Sequence, residues 1–209
     1  MHVNSSKDKA LAQRRLLRRQ MGRLRRGMPV RVQRRESLRL VRRLRQLPEL
    51  KRCKRVAVHI AAFGEIDPLM HVAGKGLGPG SKQLLVPKPF CTRVRAGHME
   101  FYTARTFSRT RTHALGMPEV PLGRRVSPRC IDAVLLPLSA FDSSGHRLGM
   151  GGGFYDRFLK RCPAALRIGL AYSFQEVPRI EAQAWDQSLH LIVTNEKSIR
   201  VGVSSIDFT

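Results

Sequence analysis

The sequence lacks any Cys-x-x-Cys pair, and its cysteines, Cys53, Cys91, Cys130 and Cys162, stand far apart with no histidine cluster beside them. That spacing argues against a disulfide framework and against structural zinc, and for free thiols in a reducing compartment. No apolar run approaches the roughly 20 residues that cross a bilayer. The N-terminus, Met1-His-Val-Asn-Ser-Ser-Lys-Asp8, has no apolar stretch of the kind that opens a secretory signal. The expectation is a cytoplasmic protein. Internal repeats are absent. Acidic residues are scarce, 15 against 39 Lys and Arg, for a net charge of +24. Aromatics make up 6% of the chain, and none interleaves with the N-terminal arginines.

What is present is a chain of 209 residues, 42% hydrophobic and 26% charged. That is enough for one globular domain with a real core, taken here as residues 1–209 with 1–8 disordered. The excess charge is concentrated: residues 1–55 hold 20 Lys and Arg against 3 Asp and Glu. Such a segment fits nucleic acid, a polyanionic small ligand, or simply a solvated helix face.

Two basic helices are predicted first. The first spans about Lys9 to Arg26, with Leu17, Met21, Leu24 and Met28 on one face. Gly27 ends it, and Pro29 opens a second helix to about Arg45. Leu40, Val41, Leu44 and Leu47 form the apolar face of that second helix, and Pro48 stops it. Strands follow at Arg55–Ala61, Gln83–Val86 (closed by Pro87 and Pro89), Met99–Thr103, Ile131–Pro137, Leu166–Ala171 and Leu191–Thr194. A short helix over about 68–74 leads to a glycine-rich connection, Gly74–Gly80. Gly116–Pro121 is a turn-rich connection. The fold class is α/β: a mostly parallel sheet flanked by helices, with the basic helical pair packed on it. Ligands of such sheets gather at the C-terminal ends of strands, which singles out Glu65 and Asp67. Asp67 before Pro68 also fits a plain helix cap.

The densest motif is Arg147-Leu-Gly-Met-Gly-Gly-Gly-Phe-Tyr-Asp156. It matches neither GxGxxG nor GxxxxGK[ST]. Its glycines nevertheless expose backbone N–H groups ahead of a helix, and Arg147 can fork onto phosphate oxygens. Asp156 would either favour the helix start or ligate Mg²⁺, with Asp186 as a second carboxylate.

That motif resembles the signature of the 5-formyltetrahydrofolate cyclo-ligase family, Arg-Leu-Gly-x-Gly-x-Gly-[Phe/Tyr]-Tyr-Asp. The resemblance extends over nearly the whole chain. The basic first helix, Val-Ala-Val-His-Ile with Phe-Gly-Glu-Ile-Asp, Gly-Met-Pro-Glu-Val-Pro, and Ile-Asp-Ala-Val-Leu-Leu-Pro-Leu-Ser-Ala-Phe-Asp all have counterparts in the family. It implies an ATP- and Mg²⁺-dependent ligase that cyclises 5-formyltetrahydrofolate to 5,10-methenyltetrahydrofolate through a phosphorylated formyl group, releasing ADP and phosphate. By match, Arg14, Arg15, Arg18 and Arg147, Leu148, Gly149, Met150, Gly151, Gly152, Gly153, Phe154 and Tyr155 would hold ATP. Ile60, Glu65 and Met150 to Phe154 would meet the folate. Apart from the match, the charge placement of the N-terminal region suggests that part of it attracts the anionic polyglutamate tail of cellular folates. Asp156 and Asp186 would ligate Mg²⁺, and Tyr155 with Arg147 would act on the transferred phosphoryl group. The family commonly carries a lysine where this chain has Arg14 or Arg15. The expected protein is a monomer. The competing readings are an arginine-rich nucleic-acid binder and another ATP-dependent enzyme on the same scaffold.

Overall fold

The computed structural model describes residues 3–70, 83–90, 98–104, 111–112, 118–119 and 122–202. Its helices are α1 (Val3–Gly27), α2 (Val30–Gln46), α3 (Pro48–Arg52) and α4 (Phe154–Leu159). Its strands are β1 (Arg55–Val58), β2 (Gln83–Phe90), β3 (His98–Ala104), β4 (Arg111–Thr112), β5 (Pro118–Glu119), β6 (Leu122–Val126), β7 (Ala133–Pro137), β8 (Ala140–Phe141), β9 (Arg147–Leu148), β10 (Leu166–Ala171), β11 (Leu191–Thr194) and β12 (Ser198–Arg200).

One sheet carries the molecule, in the order β12-β11-β10-β7-β1-β2-β3-β6. The five inner strands, β11, β10, β7, β1 and β2, run parallel, and β12, β3 and β6 pair antiparallel at the edges. The mostly parallel sheet holds at its centre, where strands buried on both faces read as unbroken apolar runs. Alternate residues feed two cores. Val56, Val58, Leu135, Ile168, Leu170, Leu191 and Val193 pack with Leu40, Val41 and Leu44 of α2 and with Leu47 just after it. Ala57, Val134, Leu136, Ala171 and Ile192 face the other way, onto Phe158 and Leu159 of α4 and Phe101 of β3. Each buried leucine of α2 contributes about 1.5–3 kcal/mol of transfer free energy.

Several expectations need correction. β1 stops at Val58, and His59 to Ala62 leave the sheet. β2 passes through Pro87 and Pro89 to Phe90. The parallel pairing with β1 ends at Leu85, and from there both prolines pair only with the antiparallel β3. α1 starts at Val3 rather than near Lys9. Its inward face includes Leu17 and Met21 but not Leu24, which is exposed. Residues 68–70 form a turn, closed by Leu69 N–H donating to Asp67 Oδ1 at 2.8 Å. So Asp67 caps a turn there, while 71–74 and the glycine-rich 74–80 lie outside the described residues. Within Gly116–Pro121, Pro118–Glu119 forms β5 against β4. The edge strands β6 and β12 are short and polar and have no apolar signature.

Candidate active site

The parallel strands in chain order, β1, β2, β7, β10 and β11, are laid out with β1 beside β2 on one side and β7 on the other. The winding therefore reverses between β1 and β7, and in sheets of this kind the ligand crevice lies there, beyond the C-terminal ends of the strands. Three segments border it: the loop His59–Glu65 after β1, Leu138 after β7, and the glycine loop Gly149–Gly153 between β9 and α4.

α1 crosses this edge and turns one row of arginines inward. Arg18 Nε donates to the Gly149 carbonyl at 2.8 Å. Arg25 is 2% exposed, and its Nη1 donates to the Leu138 carbonyl at 3.2 Å. Arg14 grips Asp186 with both terminal nitrogens, at 3.0 Å to Oδ2, and donates to the Glu181 carbonyl at 2.7 Å. Burial and the neighbouring Arg14 lower the pKa of Arg18, while Asp186 works the other way. Arg15 is exposed and has no hydrogen bond or ion pair among the described residues, so the structure does not bring it into this cluster.

The glycine loop wraps the other side. Gly151 has φ +102, a conformation that side chains rarely adopt. Gly149 differs: a Cβ there would meet nothing within 4 Å, so no protein packing demands its bareness. The loop leaves space that a ligand can use. The helix behind it, α4, has only six residues. Its dipole is correspondingly weak, and the capacity for anions rests on the loop backbone and the arginines instead. Met150 is exposed, and Phe154 lies half-buried under the Arg157 guanidinium, 5.3 Å from the ring centroid. Leu148 is fully buried against Met21, Ala140 and Ile180, which makes it a packing residue.

Arg147 is 5% exposed and its Nη2 donates to Asp156 Oδ1 at 2.8 Å. Gln187 N–H reaches the same oxygen at 3.3 Å. Asp156 Oδ2 accepts no hydrogen bond from the described residues. Tyr155 feels the charges of both Glu65 and Arg147. Burial, and then the Glu65 charge, push its phenol above the ordinary range, so it stays a proton donor. Glu65 is pushed up to about 7 by burial, against the pull of Arg25 and of a hydrogen bond from Ala62 N–H. Ile60 lies half-buried on the same loop.

Both carboxylates suggested for metal are thus present, each held by an arginine suggested for phosphate. Among the described residues no three His, Cys, Asp or Glu side chains form a closed metal cage. That donor set suits Mg²⁺, which takes one or two protein carboxylates and fills its shell with water and phosphate oxygens. Arg25 was not legible as a site residue. A buried arginine in an arginine-rich helix carries no signal of its direction.

An open α/β sheet with a cationic, glycine-walled crevice at its switch point defines an enzyme that handles an anionic small molecule. A model of the 5-formyltetrahydrofolate cyclo-ligase family matches residues 10–195. The 5-formyltetrahydrofolate cyclo-ligase of Escherichia coli is 33% identical over 163 residues, covering 74% of this chain and 85% of that protein. That of Haemophilus influenzae is 29% identical, covering 68% and 76%. The solved structure of Aquifex aeolicus 5,10-methenyltetrahydrofolate synthetase superposes with a TM-score of 0.75 at 32% identity, covering 92% of this chain and 94% of that one. The chain belongs to the 5-formyltetrahydrofolate cyclo-ligase family. The synthetase from Mycoplasma pneumoniae, 22% identical with a TM-score of 0.66, shares the fold. Among the described residues, no helix is long and apolar enough to cross a membrane.

Proposed function

We propose that this chain converts 5-formyltetrahydrofolate to 5,10-methenyltetrahydrofolate, with ATP cleaved to ADP and phosphate. The observation that supports it most is the convergence of Arg14, Arg18 and Arg147 around a loop whose Gly149 no protein contact requires.

The chemistry follows from the substrate. A formamide oxygen is a poor leaving group. Its attack on the γ-phosphorus, with ADP departing, turns it into a phosphate ester of the formyl carbon. The N10 lone pair then closes on that carbon. The C–O bond breaks, phosphate leaves, and N10 loses its proton. Phosphoryl transfer asks the protein chiefly for positioning and charge neutralisation. Arg147 and Arg18 would hold the phosphates beside the glycine loop, and Tyr155, kept protonated, would donate to the transferred group. Met150 and Phe154 would border the folate, with Ile60 on the facing loop. Glu65, when ionised, would accept from the N–H donors of the pterin ring.

Asp156 and Asp186 would hold Mg²⁺. When bound, the ion neutralises charge on the phosphate oxygens. Arg147 and Arg14 already neutralise these carboxylates, so phosphates that draw the arginines away leave the carboxylates for the cation. The surplus charge of the N-terminal helices would attract the glutamate tail of polyglutamylated folates. We take the protein to act as a cytoplasmic monomer.

The assay is direct. Incubation with 5-formyltetrahydrofolate, ATP and Mg²⁺ should produce the methenyl chromophore, with one ADP per product. Absence of product, or turnover without ATP, overturns the proposal. ATP cleavage with no folate product would favour another ATP-dependent reaction on this scaffold.

A further inference from the structure

Arg25 lies at the last turn of α1, beyond the arginines that face the glycine loop, and touches every wall of the crevice. Its Nη1 reaches the Leu138 carbonyl at 3.2 Å and stands 3.8 Å from Glu65 Oε1. Its Nη2 lies 3.9 Å from the sulfur of Met150 in the glycine loop. The two charged side chains are 3% and 9% exposed, so water contributes little to holding either. The backbone is fitted as closely. Gly64 has φ +74, and a Cβ on it would come within 2.7 Å of the Arg25 carbonyl oxygen, so the Glu65 loop is seated directly on the end of α1. Gln33 Nε2 donates to that same carbonyl at 3.3 Å and to the Met28 carbonyl at 2.8 Å, fixing the helix end.

A carboxylate this buried needs a compensating charge to remain ionised, and Arg25 supplies it at short range. The other groups around Glu65 do not. Tyr155 approaches from α4 as a neutral phenol, and the Ala62 N–H in the loop itself offers one hydrogen bond at 3.1 Å. His59 stands near Arg25 and is buried and neutral. We propose that Arg25 is the positioning residue for substrate recognition: from the nucleotide-side helix it favours the charged form of Glu65 and fixes its place on the folate wall, coupling α1 to that wall. This rests on the reading of Glu65 as the residue that meets the pterin ring. Arg25 is 2% exposed and so offers little surface of its own to a substrate.

The test compares Arg25→Met, Arg25→Lys, Glu65→Gln and the double variant Arg25→Met/Glu65→Gln in the full chain. The readout is kcat/KM for 5-formyltetrahydrofolate against pH at saturating ATP. In the parent enzyme, kcat/KM should rise with pH through about 7 as Glu65 ionises. Arg25→Met should raise KM for the folate about tenfold, leave KM for ATP nearly unchanged, and move the acid limb to higher pH. Arg25→Lys should restore the limb to near its original pH. The double variant should resemble Glu65→Gln alone, because Arg25 has nothing left to position. Additive losses, or an unmoved pH limb in Arg25→Met, overturn the inference and leave Arg25 a packing residue. Should Arg25→Met not fold, Arg25→Gln takes its place in the same comparison: a raised KM for the folate with a limb moved to higher pH is expected, and an unmoved limb overturns the inference. If Glu65→Gln itself leaves folate KM unchanged, the reading of Glu65 fails rather than the geometry of Arg25.

Discussion

Two rows of arginine run along α1, both at helical period. Arg14, Arg18 and Arg25 share one face with Met21, while Arg15, Arg19, Arg23 and Arg26 share another. The first row is half-buried to buried and ends on Asp186, the Gly149 carbonyl, the Leu138 carbonyl and Glu65. The second row is exposed, and none of its members has a hydrogen bond or ion pair among the described residues. The arginines of both rows belong to one helix and recur at its period. Only the rotation of the helix on the sheet differs, and the packing of Leu17 and Met21 against Ala140, Leu148 and Ile180 sets that rotation. A guanidinium contributes to a site when the fold desolvates it beside a partner. Charge count alone carries no such information.

The largest effect is expected at Arg147, which faces the inner row across the glycine loop and would hold the phosphates of the proposed ATP. Arg147→Ala should lower kcat by roughly 10²–10³-fold, the scale seen when a fixed donor to developing charge is removed. Asp156→Asn keeps a hydrogen-bond acceptor for Arg147 but loses the charge that would hold Mg²⁺. It should lower activity similarly, and should raise the Mg²⁺ concentration that protects the protein in a thermal shift with ATP. Unchanged Mg²⁺ dependence would remove Asp156 from the metal site.

A smaller effect is expected from Arg14→Ala. Its fork onto Asp186 is largely shielded from water, with side chains 11% and 13% exposed. Its loss should raise KM for ATP by about 10–100-fold, in line with charged hydrogen bonds worth about 1.5–3 kcal/mol, while folate KM moves little. Arg15→Ala provides the contrast within one turn: its KM for ATP should change less than threefold by the same scale. Equal effects at 14 and 15 would break the distinction between the two faces.

How much of this was legible before the fold depended on what each residue type reveals. The central strands were clear because Ala133–Leu136 and Leu191–Val193 are apolar without interruption, as strands buried on both faces tend to be. The α2 stripe was clear for the matching reason at helical period. β6 and β12 were invisible, since an edge strand can be short and polar. Within the site, Glu65 could be located from the rule that ligands gather at strand ends, and the glycine loop from its composition. Arg25 could not, and neither could the Arg14–Asp186 contact, which joins positions at opposite ends of the chain through the sheet. The first helix misled in one respect. Leu24 extended the apparent apolar stripe, but α1 roofs a charged crevice and so buries Arg25 while Leu24 faces solvent.

The weakest expected effect is the one that separates the rows most cleanly. Arg19→Gln/Arg23→Gln removes two exposed charges one turn apart on α1. Like charges at that spacing repel by about 0.2–0.5 kcal/mol, so the variant should be slightly more stable, with the gain shrinking as salt rises. For monoglutamyl 5-formyltetrahydrofolate, kcat and KM should stay within about twofold, since surface changes away from a site have small effects. With a polyglutamylated substrate at low salt the expectation differs. A chain of carboxylates attracted over a Debye length of about 10 Å at 0.1 M salt should bind less well once those charges are gone. Parallel titrations of the two substrates across salt therefore test the outer row on its own. A KM increase confined to the polyglutamate and erased by salt assigns it to long-range attraction. No difference between substrates leaves it as a solvated face.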